Sequence, residues 1–162
     1  MWVTVGFSFY MVKFQLKYLP GNIYTNSVSS SGAEIGGIIG AGVLYQKFGI
    51  KISFSLLFFA SVIGGFLILI FGEAHKDLMP AFIMLARIGT SGAFNVVYIS
   101  NQDVFPTLFK GSAMGYCNFF TRIFCTLAPQ IAEKPNPLPM VIFITINIIA
   151  GIVIQFIKTN RR

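Results

Sequence analysis

Charge is scarce in this sequence: 10% of its 162 residues are Asp, Glu, Lys or Arg, against about 25% in an ordinary soluble domain. Acidic residues number five and histidine one. That shortage removes the groups from which most enzyme centres are built. No Walker motif, no nucleophile beside a base and no cluster of metal ligands is visible, so neither catalysis nor a cofactor is expected. His75 lies in the charged stretch Glu73-Ala74-His75-Lys76-Asp77 and reads as a solvated loop residue. Cys117 and Cys125 share one apolar segment without metal-ligand spacing and read as packed thiols. The opening MWVTVGF has no basic n-region and no small-residue cleavage site, so it does not read as a signal peptide.

What the sequence has in excess is hydrocarbon. Apolar residues make up 55% of it, and the mean hydropathy is +0.75. Runs of about 20 apolar residues recur along the chain, the length that crosses ~30 Å of bilayer core at ~1.5 Å per residue. The expected fold class is an all-α membrane protein, multi-pass in a lipid bilayer. The net charge of +7 does not point to nucleic acid, because the basic residues sit singly between apolar segments, as membrane-loop anchors do.

Six segments are expected, at Met1 to Leu16, Thr25 to Tyr45, Ile52 to Phe71, Met79 to Asn101, Ser112 to Ile131 and Met140 to Ile157. The first is short for a span and reads either as one that has lost its beginning or as a short helix supported by partners. Pro20-Gly21-Asn22 is a turn signal, YQKFGIK a polar link and EKPNPLP a rigid one. Six spans put both ends on one side. Lys47, Lys51, Lys110, Lys158, Arg161 and Arg162 then share one face; Lys17, Lys76 and Lys134 share the other with Glu73, Asp77 and Glu133. The excess of Lys and Arg makes the first face cytoplasmic, with a basic cytoplasmic tail at 158–162.

Polar residues inside the segments fall in rows. The second segment carries ladders of small residues, Gly32, Gly36 and Gly40 beside Ala33, Gly37 and Ala41, which permit close helix approach in lipid. Ser27, Ser30 or Ser31, and Glu34 form a polar row there at helical spacing. The third segment has no charge and suits a peripheral, lipid-facing position. In the fourth, Arg87, Ser91, Asn95, Tyr98 and Gln102 recur every three or four residues; in the fifth, Asn118, Arg122 and Thr126 do so, with Gly111 and Gly115 on the same side.

A charge at the bilayer centre costs roughly 2.5–3.5 kcal/mol even on gentle scales. These rows are therefore expected to line one hydrophilic path. Arg122 lies about 15 Å into its helix, near the midplane. Its planar fork of donors suits a carboxylate, phosphate or sulfate. Two readings stay open for it, a substrate contact or a buried pair with Glu34. For Arg87 the readings are a structural pair, snorkelling to the interface, or substrate contact. Phe94, Tyr98, Phe119 and Phe120 read as packing, with stacking on an organic substrate as the alternative.

The stretch RIGTSGAFNVVYISNQDVFPTLFKGSAMG...FFTRIFCTLAP, from Arg87 to Pro129, resembles the end of the organic cation/anion transporter family of the major facilitator superfamily. The turn Asp103-Val104-Phe105-Pro106-Thr107 with Lys110 stands where that family has E-L-Y-P-T and a basic residue. GNIYTN and SGAEIGG are similar to its seventh-to-eighth helix region. GVLYQKFGIK resembles the superfamily's G-x-L-x-D-R-x-G-R-K signature at Gly42, Leu44, Lys47, Gly49 and Lys51, and departs from it at Gln46 and Ile50.

The resemblance implies that residues 1–162 are a single domain, the C-terminal six-helix half of a major facilitator fold. Substrate would be held between two halves near the midplane and moved by alternating access. Family members carrying cations have aspartate where Arg122 stands, which points to a small organic anion or zwitterion. Tyr10, Glu34, Phe94, Asn95, Tyr98, Asn118 and Arg122 are the implied binding residues; Arg87, Asp103, Lys110, Lys47, Lys51, Gly42 and Gly49 the gate or structural ones. The implied partner is the missing N-terminal six-helix half, from the same gene, a separate chain or a second copy, and the implied location is the plasma membrane. A sugar-type transporter and a non-transporting membrane binding module or gene remnant are the alternatives.

Overall fold

A computed structural model of the chain describes residues 1–19, 22–71, 78–134 and 137–156, and these are helical almost throughout. Several expectations concern residues outside those described: Pro20 and Gly21 of the first turn, the loop around His75, the middle of EKPNPLP and the basic tail. The helices are α1 (Trp2–Gln15, continued by a 3-10 turn at Leu16–Tyr18), α2 (Ile23–Phe71), α3 (Met79–Val104), α4 (Lys110–Cys125), α5 (Leu127–Ala132) and α6 (Leu138–Phe156). Among the described residues, α2, α3 and α6 are each long and apolar enough to cross a membrane.

At 49 residues α2 would run about 73 Å if straight, more than twice a hydrocarbon core. It is not straight. Gly49 has φ 75° and ψ −175°, a region essentially reserved for glycine. The chain doubles back there, so the expected second and third segments are two arms, 23–48 and 50–71. A Cβ placed on Gly92 of α3 would meet Leu57 at 2.6 Å and the Gly37 carbonyl at 3.2 Å. Along a straight helix those two residues would lie about 30 Å apart.

Helix α3 packs against both arms through backbone contact. A Cβ on Gly64 would lie 2.4 Å from the Ala86 nitrogen, and one on Gly89 2.5 Å from the Leu57 carbonyl. On the first arm it is the Ala33–Gly37–Ala41 ladder that meets α3; the Gly32–Gly36–Gly40 ladder has nothing within 4 Å. Ser30 is buried and Glu34 half-buried on the inward side, whereas Ser27 is exposed. The second arm turns Phe54, Leu57, Phe58 and Ile68 inward. Its outward row, Leu56, Phe59, Ile63, Phe66 and Ile70, recurs every three or four residues. That gives the arm, charge-free from residue 52 on, the outward apolar side its composition predicts.

The fourth segment runs three residues further than expected, to Val104, and stops because Phe105 precedes Pro106 and is extended (φ −97°, ψ 139°). The expected fifth segment is broken at Thr126 into α4 and α5. Pro129 has no N–H, and its ring crowds the carbonyl of residue 125. Helix α4 leans on α1: a Cβ on Gly6 would strike the Thr121 methyl at 2.3 Å. Helix α6 closes the other side. Phe143 and Ile144 sit on Gly65, Asn147 donates to Ser8 at 3.0 Å, and Gln155 donates to Ser55 at 2.9 Å.

Replacing Gly49 by Ala forces a Cβ into a glycine-only conformation and is expected to cost about 1–3 kcal/mol. Gly42→Ala, where a Cβ meets nothing within 4 Å, is expected to be neutral. Thermal melts of the two variants, followed on the intrinsic fluorescence of the sole tryptophan, check this.

Candidate functional site

The hydrophilic rows meet through bonds between helices. Arg87 on α3 is fully buried and donates from Nη2 to Glu34 Oε2 of the first α2 arm at 2.9 Å. Its Nη1 donates to the Phe9 carbonyl of α1 at 3.0 Å, and its guanidinium lies 4.4 Å from the centre of the Phe9 ring. One side chain thus joins α1, α2 and α3. Ser91, one turn on, donates to the Arg87 carbonyl at 2.7 Å and keeps its own hydroxyl satisfied.

This decides between readings that the sequence leaves open. Glu34 pairs with Arg87 and not with Arg122, and of the three readings for Arg87 the structural pair is the one observed, with the side chain enclosed and not snorkelling. The reason lies in helix packing. The arm bearing Glu34 touches α3 directly at Gly37, beside Ile88 and Ser91, whereas Arg122 stands on α4, whose neighbour is α1.

Arg122 donates instead to the Tyr10 hydroxyl of α1, and its guanidinium lies 5.3 Å from the centre of the Tyr10 ring. Its surroundings on this chain are open. Tyr98 of α3 donates to Asn118 Oδ1 of α4 at 3.0 Å, and Asn118 donates to the Met114 carbonyl at 3.0 Å. Asn95 donates to the Ile38 carbonyl at 3.1 Å and so ties α3 to the first α2 arm. Gln102 and Thr126, the outer ends of the two rows, are exposed.

A continuous row of rings carries both arginines at one end, Arg87 over Phe9 and Arg122 over Tyr10. Trp2 meets Tyr98 edge-on at 4.7 Å; Tyr98 meets Phe94 at 5.1 Å; Phe94 stacks on Phe9 at 4.9 Å; Phe9 meets Tyr10 edge-on at 5.6 Å. Such offset and edge contacts suit the ring quadrupoles. The expected residues Tyr10, Phe94, Tyr98, Asn118 and Arg122 are therefore brought together. Phe119 and Phe120 touch each other and face outward. Trp2, Phe9 and Lys13 escape a reading by polar rows. The available signal was Phe9 beside Tyr10, with Lys13 one turn further on the same face.

The gate residues divide differently. Asp103 accepts a hydrogen bond from the Tyr45 hydroxyl, and among the described residues no ion pair joins it to Lys110. Tyr45 ends the first arm just before the Gly49 reversal, so it reaches the end of α3 before the α4 side can. Lys51 donates to the Gln155 carbonyl at 3.4 Å and secures the end of α6. Lys47 is exposed and Gly42 half-buried.

Loss of Glu34 leaves the Arg87 charge buried without a partner, which costs several kcal/mol. Because Glu34 is itself 29% exposed, we expect about 3 kcal/mol for Glu34→Ala, toward the low end of that range. A Glu34→Leu, Arg87→Met double variant should recover most of it, since no charge is stranded. The check is a melt of detergent-solubilised protein.

No family model matches the chain. Curated proteins do match it. Solute carrier family 22 member 13 of Homo sapiens is 27% identical over 158 residues, covering 94% of this chain and 28% of that protein. The organic cation transporter-like protein of Drosophila melanogaster is 26% identical, covering 93% and 27%. Organic anion transporter 3 of Rattus norvegicus is 25% identical, covering 93% and 28%. The chain spans less than a third of the length of these relatives, which are transporters and not enzymes. The similarity that the motifs carry, to the organic cation/anion transporters of the major facilitator superfamily, extends over nearly the whole chain and lies in the C-terminal half of its relatives.

Proposed function

We propose that this chain is one half of a membrane transporter for a small organic ion, an anion or zwitterion, working by alternating access. The observation that carries the reading is the open Arg122 guanidinium at the end of the aromatic row. A cation held by Tyr10 beside a line of rings suits a ligand with a negative group and an apolar body. Glu34 is engaged by Arg87, which leaves the positive charge of Arg122 unmatched by it.

A second half follows from the same geometry. On this chain Tyr116, Phe119 and Phe120 of α4 are exposed, and Gly32, Gly36 and Gly40 have no neighbour. An arginine left facing lipid is costly. A complementary bundle, of the same polypeptide, another chain or a second copy, covers those surfaces and encloses the site. The two arms of α2, with α1, α3, α4–α5 and α6, then make six crossings. In this reading the Gly49 reversal and the C-terminus are cytoplasmic, supported by the excess of Lys and Arg on that face of the sequence, and the membrane is the plasma membrane.

Uptake of an organic anion, assayed with the complementary half present, tests this. Arg122→Asp is expected to lower it at least tenfold without changing membrane abundance, and Arg122→Lys to retain part of it. Unchanged uptake in Arg122→Asp would make the arginine structural and the anion reading wrong.

A further inference from the structure

The first helix carries a charge that the proposed site does not yet use. Lys13 stands one turn beyond Phe9 on the same face of α1. Its ammonium lies 5.4 Å from the centre of the Phe9 ring. Phe9 and Tyr10 are in edge contact, and the Arg122 guanidinium sits on Tyr10. Two cations therefore stand on two neighbouring rings. A third, Arg87, shares the Phe9 ring.

The charges do not balance. Among the described residues Glu34–Arg87 is the one ion pair within 4 Å, so one carboxylate serves three cations. Of the other described acids, Asp103 is bonded to Tyr45 near the end of α3, and Glu133, at the end of α5, makes no ion pair within 4 Å among the described residues. Like charges gathered on a face of reduced dielectric repel more strongly than in water. A ligand bringing two negative groups compensates both Lys13 and Arg122; a ligand bringing one leaves a cation uncompensated. Lys13 is also exposed, free to move toward a ligand, and no part of the helix packing rests on it.

Building on the anion reading above, we infer that Lys13 is a second anion-binding residue and that the site prefers an organic dianion, one negative group at Lys13 and the other at Arg122, its body on the aromatic row. The shape this selects is two carboxylate or sulfate groups held apart by an apolar or aromatic body. A compact ammonium tolerates either group, whereas the Arg122 fork orients one of them.

Terephthalate, with two carboxylates on one ring, and benzoate, with one, are the probes. Binding of each is measured to the chain in nanodiscs with its complementary half. The native protein is expected to hold terephthalate at least tenfold more tightly than benzoate. Lys13→Gln should erase most of that preference while changing benzoate affinity less than twofold, and Lys13→Arg should keep it. Arg122→Gln should weaken both probes. Equal affinity of the native protein for the two, or a Lys13→Gln variant that keeps the preference, overturns the dianion inference alone; Lys13 then only snorkels to the membrane surface. Binding of tetraethylammonium with neither anion bound overturns the anion reading, and this inference with it, as does binding of no probe at all.

Discussion

A fully buried guanidinium is the constraint on which the rest of this structure depends. Arg87 has no route to water, so its charge must be met inside the bundle. It is met by a carboxylate from one helix, a carbonyl from another and the face of an aromatic ring. Those three partners fix where α1 and the first arm of α2 lie relative to α3. Small residues make the fit possible, because Gly37 and Gly92 bring the first arm of α2 and α3 close enough for the carboxylate to reach. Pairing does not make such a charge a net source of stability, but losing one partner is severe. The pair therefore specifies the arrangement more than it strengthens it.

Once Glu34 is committed there, the charge on the other side of Phe9 changes meaning. Arg122 has a phenol for a neighbour and, among the described residues, no carboxylate within 4 Å, and it is exposed on this chain. Two rings at the end of the aromatic row, Phe9 and Tyr10, separate a closed ion pair from an exposed cation. Two residues of the same type, each with a ring beside it, thus stand in opposite settings: one is enclosed and holds helices together, and the other is exposed on this chain.

Much of this is legible in the sequence, and what is not has a physical cause. Apolar run length marks the helices, and Gly49 is marked by the motif around it; its conformation explains why a glycine is required there. The small-residue ladders mark helix approach, but periodicity does not say which of two parallel ladders meets a helix and which meets nothing. The polar rows hold the residues that bond between helices, Glu34, Arg87, Asn95, Tyr98, Asn118 and Arg122, but Ser27, Gln102 and Thr126 are exposed, and the pairing is ambiguous from sequence. Glu34 lies far from both arginines in sequence, and only helix packing decides between them. Lys13 reads as an interruption in a short apolar segment, since its significance comes from a ring one turn back and a neighbour on α4. Asp103 misleads for a similar reason: Lys110 is near in sequence, but the Gly49 reversal brings Tyr45 nearer in space.

The central claim is that these hydrophilic edges open on one shared, wetted crevice while the second arm of α2 faces lipid. Single cysteines placed in a Cys117→Ala, Cys125→Ala background and exposed to a charged, membrane-impermeant thiol reagent test it most directly. Cysteine at Asn118 or Arg122 should react, and cysteine at Phe59 or Ile63 should not. Protection at Asn118 and Arg122, or equal reaction at all four positions, would contradict the account.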